Sequence, residues 1–126
     1  MLPDESDVSV EIDEVMPYHL KWSDAYKRAC ELFYKKKPTD DEKRECLHLL
    51  TSEADKGNIL ALHDLGKLYA SGFMGEPDAE LSQEYYAKAL TGFLEIVDFA
   101  PKRKAYIQYR IGKMYAYGLG TQQDDA

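Results

Sequence analysis

Gly66-Lys67 and Gly112-Lys113 carry the residue types with which a loop holds phosphate. That chemistry needs an earlier glycine, in the spacing G-x-x-x-x-G-K, and a Ser or Thr hydroxyl directly after the lysine. Neither is present: Ala61 and Ile107 occupy the first place, and Leu68 and Met114 the last. Gly118-Leu119-Gly120 lacks the third glycine of a dinucleotide-binding turn and follows a helical pattern instead of a strand. His19, His48 and His63 are far apart, and Cys46 and His48 are two apart on a helix, where side chains diverge by about 200° and cannot share one ion. Carboxylates are plentiful, but an acid/base pair needs a cleft and a raised pKa, and the acids here follow the polar faces of helical patterns. The sequence therefore predicts a non-catalytic protein with no metal and no cofactor.

The charge balance narrows the partners. With 23 acidic against 16 basic side chains, the net charge of −7 repels phosphate backbones and anionic lipid heads, which disfavours direct nucleic-acid binding and a membrane location. Asp4, Glu5, Asp7, Glu11, Asp13 and Glu14 precede the first basic residue, Lys21, so the N-terminus matches neither a secretory signal nor a mitochondrial presequence. Cys30 and Cys46 lie in helical patterns and read as reduced thiols. A cytoplasmic protein is expected.

What positions the polar residues is a repeat. "LGKLYASG" at 65–72 returns as "IGKMYAYG" at 111–118, an offset of 46 that Asp78 and Asp124 also keep. Ala61, Leu65 and Leu68, like Ile107, Ile111 and Met114, step by four and three along one helical face. Gly72 and Gly118 suit the left-handed residue that closes a helix. Asp78 caps a second helix through Leu81, Tyr85, Tyr86, Ala89, Leu90 and Phe93, which ends before Pro101. A weaker earlier copy follows from an offset of 35, which sets Cys30, Phe33 and Tyr34 opposite Leu65, Leu68 and Tyr69, with Glu31 at the place of Gly66. Its first helix starts near Ser23. Its second opens on Thr39 and Glu42 at capping-box spacing and closes at Gly57, before Asn58 starts the next.

These elements give an all-α fold, an α-solenoid of antiparallel helix hairpins with two repeats and a lone terminal helix. The expected order is a disordered acidic leader over 1–14, a capping segment over 15–22 in which Tyr18 and Trp22 cover the first hairpin, and the array over 23–126. Its units are 23–56, 59–100 and an incomplete 103–126, whose lone helix is expected to leave Ile111, Met114 and Tyr115 partly wet. Half a unit is missing, so self-association through the incomplete C-terminal repeat, or further chain, is expected to cover that end. Gly66 and Gly112 each cost a helix about 1 kcal/mol relative to alanine. Close helix packing, with Tyr69 or Tyr115 filling the space beside the glycine, is the expected compensation.

The series "ALHDLGKLYASGFMGEPDAELSQEYYAKAL" resembles the SEL-one-like repeat, a relative of the tetratricopeptide repeat. The pattern places are held by Ala61, Leu65-Gly66, Tyr69, Gly72, Gly75, Asp78, Tyr85-Tyr86 and Lys88-Ala89, and again by Ile111-Gly112, Tyr115, Gly118-Leu119-Gly120 and Asp124. The resemblance implies a scaffold or adaptor for another protein or peptide. More narrowly, "YHLKWSDAYKRACELFY", "GNILALHDLGKLYASG" and "YIQYRIGKMYAYGLGTQQD" are similar to the C-terminal repeat region of MobA/MobL-type mobilisation relaxases. That second resemblance implies an accessory region in conjugative DNA transfer, since the relaxase's catalytic tyrosine and histidine motifs are absent. Lys35-Lys36-Lys37 and Lys102-Arg103-Lys104 would serve it if they lined one edge of the array. The residues expected to touch a partner are Tyr106, Tyr109 and Tyr117 on the first-helix surface, with His63, Lys67 and Lys113 beside them.

Overall fold

The structure, a computed structural model, describes residues 19–122. The acidic leader 1–14, Met16 and Tyr18 of the capping segment, and Asp124 lie outside the described residues. Among the described residues five α-helices follow one another: α1 (Asp24–Phe33), α2 (Asp40–Asp55), α3 (Ile59–Ser71), α4 (Ala79–Ile96), then a short 3₁₀ turn (Val97–Phe99) and α5 (Lys104–Tyr117). The protein is all-α, with no strand among the described residues. Each helix packs on the one before and the one after it. Because the connections 34–39, 56–58, 72–78 and 97–103 are short, neighbouring helices must run in opposite directions. None of the helices is long and apolar enough to cross a membrane.

Local chemistry sets the boundaries. Ser23, Thr39, Asn58 and Asp78 each cap a helix by accepting a backbone N–H of its first turn. At Thr39 the box is complete, because the Glu42 carboxylate in turn accepts the Thr39 N–H at 2.9 Å. Lys35 pairs with Glu42 at 2.5 Å, and that bond, followed by the Thr39 N–H, holds the carboxyl well down, at about 2. Gly72 and Gly118 close α3 and α5 with φ of 73° and 67°, which a side chain would strain. Thr39→Ala should cost about 1 kcal/mol of stability, as read from a thermal or urea midpoint.

The core runs from Tyr26, Ala29 and Leu32 on α1 through Cys46 and Leu50 to Leu65, Leu68, Phe93 and Ile96, and reaches Ile107 and Met114 on α5. Two expectations about faces change here. The fully buried pair on α1 is Ala29 and Leu32, which aligns with Leu65 and Leu68 at an offset of 36, not 35. Cys30 thereby takes the place of Gly66, and Tyr34 turns out to solvent at 65 % exposure. On α5, Met114 is fully buried although no further helix follows among the described residues; Ile111 and Tyr115 are half-buried against the core.

Residues 19–22 approach α1 past α3. They cross the start of α3, where the Ile59 N–H donates to the His19 carbonyl (2.9 Å) and Asn58 Nδ2 donates to the Lys21 carbonyl (2.8 Å). Leu20 is buried there, while Trp22 stands 60 % exposed with its ring edge-on to Tyr26 at 5.1 Å.

Candidate functional site

Since neighbouring helices alternate in direction, α1, α3 and α5 run the same way and present one surface. Their starting ends lie together: Trp22, Leu60 and Tyr106 line one hollow of about 640 Å³ with Leu20, Lys21, Lys102 and Arg103. A second hollow of about 310 Å³ shares those three residues and carries the surface on as a groove. Its rows come from residues one turn apart. α1 and its approach supply Trp22, Tyr26, Cys30 and Tyr34; α3 supplies Leu60, His63, Asp64 and Lys67; α5 supplies Tyr106 and Arg110; Phe93 of α4 forms the floor. A step of four keeps each row on one face of its helix.

The polar atoms of the groove are mostly paired with rings. Lys67 Nζ donates to the Tyr34 hydroxyl at 2.7 Å and lies 5.4 Å from that ring's centre. Arg110 Nε donates to the Tyr106 hydroxyl at 3.3 Å, with the guanidinium over the same ring at 5.5 Å. Such cation–ring contacts hold an ammonium or guanidinium in place while leaving outward N–H groups for a ligand. Among the described residues Asp64 is the one carboxylate in the lining; it accepts from the Tyr26 hydroxyl and lies 3.9 Å from Cys30 Sγ. Burial first, and then the Asp64 charge, push the Tyr26 phenol far above its ordinary range. Burial also raises the Cys30 thiol. A thiol held protonated beside a carboxylate is a poor nucleophile. Among the described residues no group of three or more His, Cys, Asp or Glu side chains is placed to hold a metal ion.

The residues expected to touch a partner divide between two surfaces. Lys67 and Tyr106 line the groove with His63, but His63 is only 7 % exposed and packs edge-on against Tyr86, so it shapes the wall and offers little surface. Tyr109, Lys113 and Tyr117 lie on the outer side of α5, in a separate shallow hollow with Gln108, Gly112 and Ala116. Lys113 stands over the Tyr109 and Tyr117 rings at 5.3 and 5.8 Å.

The glycine beside that lysine differs from its counterpart. At Gly66 a Cβ would come within 2.7 Å of the Tyr86 ring, and the Ser82 hydroxyl donates to the Gly66 carbonyl at 2.7 Å. The ring against Gly66 is thus Tyr86 from α4, reached across the hairpin, while Tyr69 stacks on Tyr85 instead (5.7 Å, 4°). At Gly112 a Cβ would meet nothing within 4 Å among the described residues, so neither Tyr115 nor any other ring among them fills that place.

Trp22, Tyr26, Tyr34 and Arg110 belong to the groove; the sequence reading puts Trp22 in the cap and Tyr34 at a repeat position opposite Tyr69, and singles out neither Tyr26 nor Arg110. The spacing 22, 26, 30, 34 is a visible helical row, but an offset of 35 assigns Tyr34 to the core, which hides it. No protein-family model matches the chain, and comparison with curated proteins and with solved structures likewise gives no match, so the groove has to be understood from its own residues.

Proposed function

We propose that this chain is a non-catalytic protein–protein interaction module of the SEL-one-like type, an α-solenoid fragment that works as a scaffold or adaptor by holding a segment of another protein in the α1/α3/α5 groove. One observation carries the reading: Trp22, Tyr34 and Tyr106 are 60, 65 and 41 % exposed, and all three line the same groove. Large rings left in solvent on a rigid helical surface are the usual anchors of recognition, because they gain much buried area at small entropic cost. The glycine-and-tyrosine packing between α3 and α4 and the order of the hairpins support the repeat type. A cytoplasmic setting fits the two free cysteines, Cys30 and Cys46.

The accessory-region reading requires the two basic clusters on one edge. Lys102-Arg103-Lys104 lead into α5, at the end where α1 and α3 begin, whereas Lys35-Lys36-Lys37 follow the far end of α1. They stand at opposite ends of the surface, and Lys35 and Lys104 are paired with Glu42 and Asp98. A DNA backbone would not meet both along one edge, so the protein-binding reading is preferred.

The test is photo-crosslinking in source cells, with a benzophenone amino acid placed at Tyr34 or Tyr106 in the groove, or at exposed Arg44 on α2. A discrete polypeptide captured from both groove positions and not from position 44 is expected. Equal capture at all three, or capture at position 44 alone, would remove the proposal.

A further inference from the structure

We propose that the partner segment held in the groove is proline-rich and bound as an extended, left-handed polyproline helix. The inference rests on the groove being the peptide-binding site and names the chemistry of its ligand. An ammonium and a guanidinium only donate, so in the pairs Lys67–Tyr34 (2.7 Å) and Arg110–Tyr106 (3.3 Å) the phenol oxygen must accept. Each phenol hydrogen is thereby turned away from its cation, and among the described residues neither finds an acceptor. The indole N–H of Trp22, whose ring stands edge-on to Tyr26, is likewise without an acceptor among them. Lys67 and Arg110 keep further N–H groups of their own. Against these donors the lining sets the Asp64 carboxylate, which already receives the Tyr26 hydroxyl. The exposed rim is therefore one of hydrogen-bond donors set between ring faces.

A ligand for such a rim needs acceptors and must bring few donors, because an N–H buried against it would be left without a partner. An ordinary peptide brings an N–H at every residue. A carboxylate-bearing segment would accept well, but it carries those N–H groups with it. Proline brings a carbonyl and no N–H, and its ring packs on the faces of Trp and Tyr. In a polyproline helix every carbonyl is unpaired within the chain, and little conformational freedom is left to lose on binding. The span agrees. From its cap Ser23 to its end at Tyr34, α1 rises about 16–17 Å at 1.5 Å per residue, and Trp22 adds one residue more. Two turns of polyproline helix, six residues at about 3.1 Å each, cover about 19 Å. Trp22 and Tyr34 thus stand about two such turns apart, and prolines three residues apart would meet the rings along one face of the ligand.

The test is selection from a random dodecapeptide library on phage, panned on the full chain and counter-selected on full-length W22A/Y106A. Both rings are exposed, so the variant should keep its circular dichroism. Peptides retained by the wild type alone are expected to be enriched in proline about threefold or more over the library, at a spacing of three residues. A selected peptide, synthesised with neutral termini, should alter the fluorescence of Trp22, the sole tryptophan. Full-length Y34F/Y106F keeps the rings and removes the outward hydroxyl donors, and should weaken that peptide about 2- to 10-fold per hydroxyl. Raising salt from about 0.05 to about 0.5 M should change the affinity by less than about twofold, because carbonyls and not ion pairs hold the ligand. Groove-dependent peptides without proline enrichment overturn the proposal and leave the interaction module standing; if they are rich in Asp and Glu and released by salt, the groove reads charge instead. Unchanged affinity in Y34F/Y106F overturns it too, by showing that the rings alone hold the ligand. A labelled oligothymidylate that binds the full chain and not W22A/Y106A would make the groove a nucleic-acid site. Selection that yields no peptide dependent on Trp22 and Tyr106 removes both this proposal and the peptide-binding reading beneath it.

Discussion

Phe93→Ala lowers the unfolding free energy by about 3–5 kcal/mol. Phe93 is wholly buried on α4, its ring 6.4 Å from that of His63 on α3, and it floors the groove between α1, α3 and α5. Leu65, Leu68 and Ile96 of the same core are themselves fully buried, and in a close-packed interior they have little freedom to fill the space of a lost phenyl ring. The loss therefore includes both the transfer of the ring and the cavity it leaves. In a domain with about 5–15 kcal/mol in total, this approaches the threshold of folding. Urea unfolding should show a lower midpoint at constant slope. Tyr109→Ala supplies the contrast: that ring is 57 % exposed, and its removal should stay within about 0.5 kcal/mol. A loss at Tyr109 comparable to that at Phe93 would mean that the outer face of α5 is covered in solution.

The helix ends were legible in the sequence, and the groove was not, for a physical reason. A cap is a contact over two or three residues, so Ser23, Thr39 with Glu42, Asn58, Asp78, Gly72 and Gly118 declare themselves without reference to the rest of the fold. The all-α architecture follows from those caps and the apolar steps between them. Which ring meets Gly66 depends on how α3 and α4 register across the hairpin, and Tyr86 lies 20 residues away from it in sequence. Tyr69, three residues on, satisfied the local pattern equally well. The face of α1 turned on a shift of one residue, from 35 to 36, and that shift decided whether Tyr34 was core or groove. Trp22 depended on the path of residues 19–22 across α3, fixed by the His19 and Lys21 carbonyls, which no periodicity records.

Gly66→Leu and Gly112→Ala should move stability in opposite directions. At Gly66 even a Cβ would lie 2.7–2.9 Å from three atoms of the Tyr86 ring. That ring cannot swing aside, being 5 % exposed and packed edge-on against His63, while the Ser82 hydroxyl ties α4 to the Gly66 carbonyl. Overpacking of this kind costs about 1–3 kcal/mol, and a leucine belongs at the upper end, since its branch must enter the space the ring already fills. At Gly112 the same Cβ meets open space on a helix, so alanine keeps its propensity advantage and should stabilise by up to about 1 kcal/mol. At roughly 4–8 °C per kcal/mol for a domain near this size, the two melting curves should fall clearly on either side of the parent. Tyr86→Ala should relieve the Gly66→Leu penalty in a double-mutant cycle and leave Gly112→Ala unaffected. A destabilised Gly112→Ala would require a second copy or a further helix seated on α5, because nothing within the described chain reaches that Cβ. The same letter in two copies of a repeat thus answers to two different surroundings: Gly66 is held glycine by a tyrosine against it, whereas at Gly112 no described residue reaches the place of a Cβ.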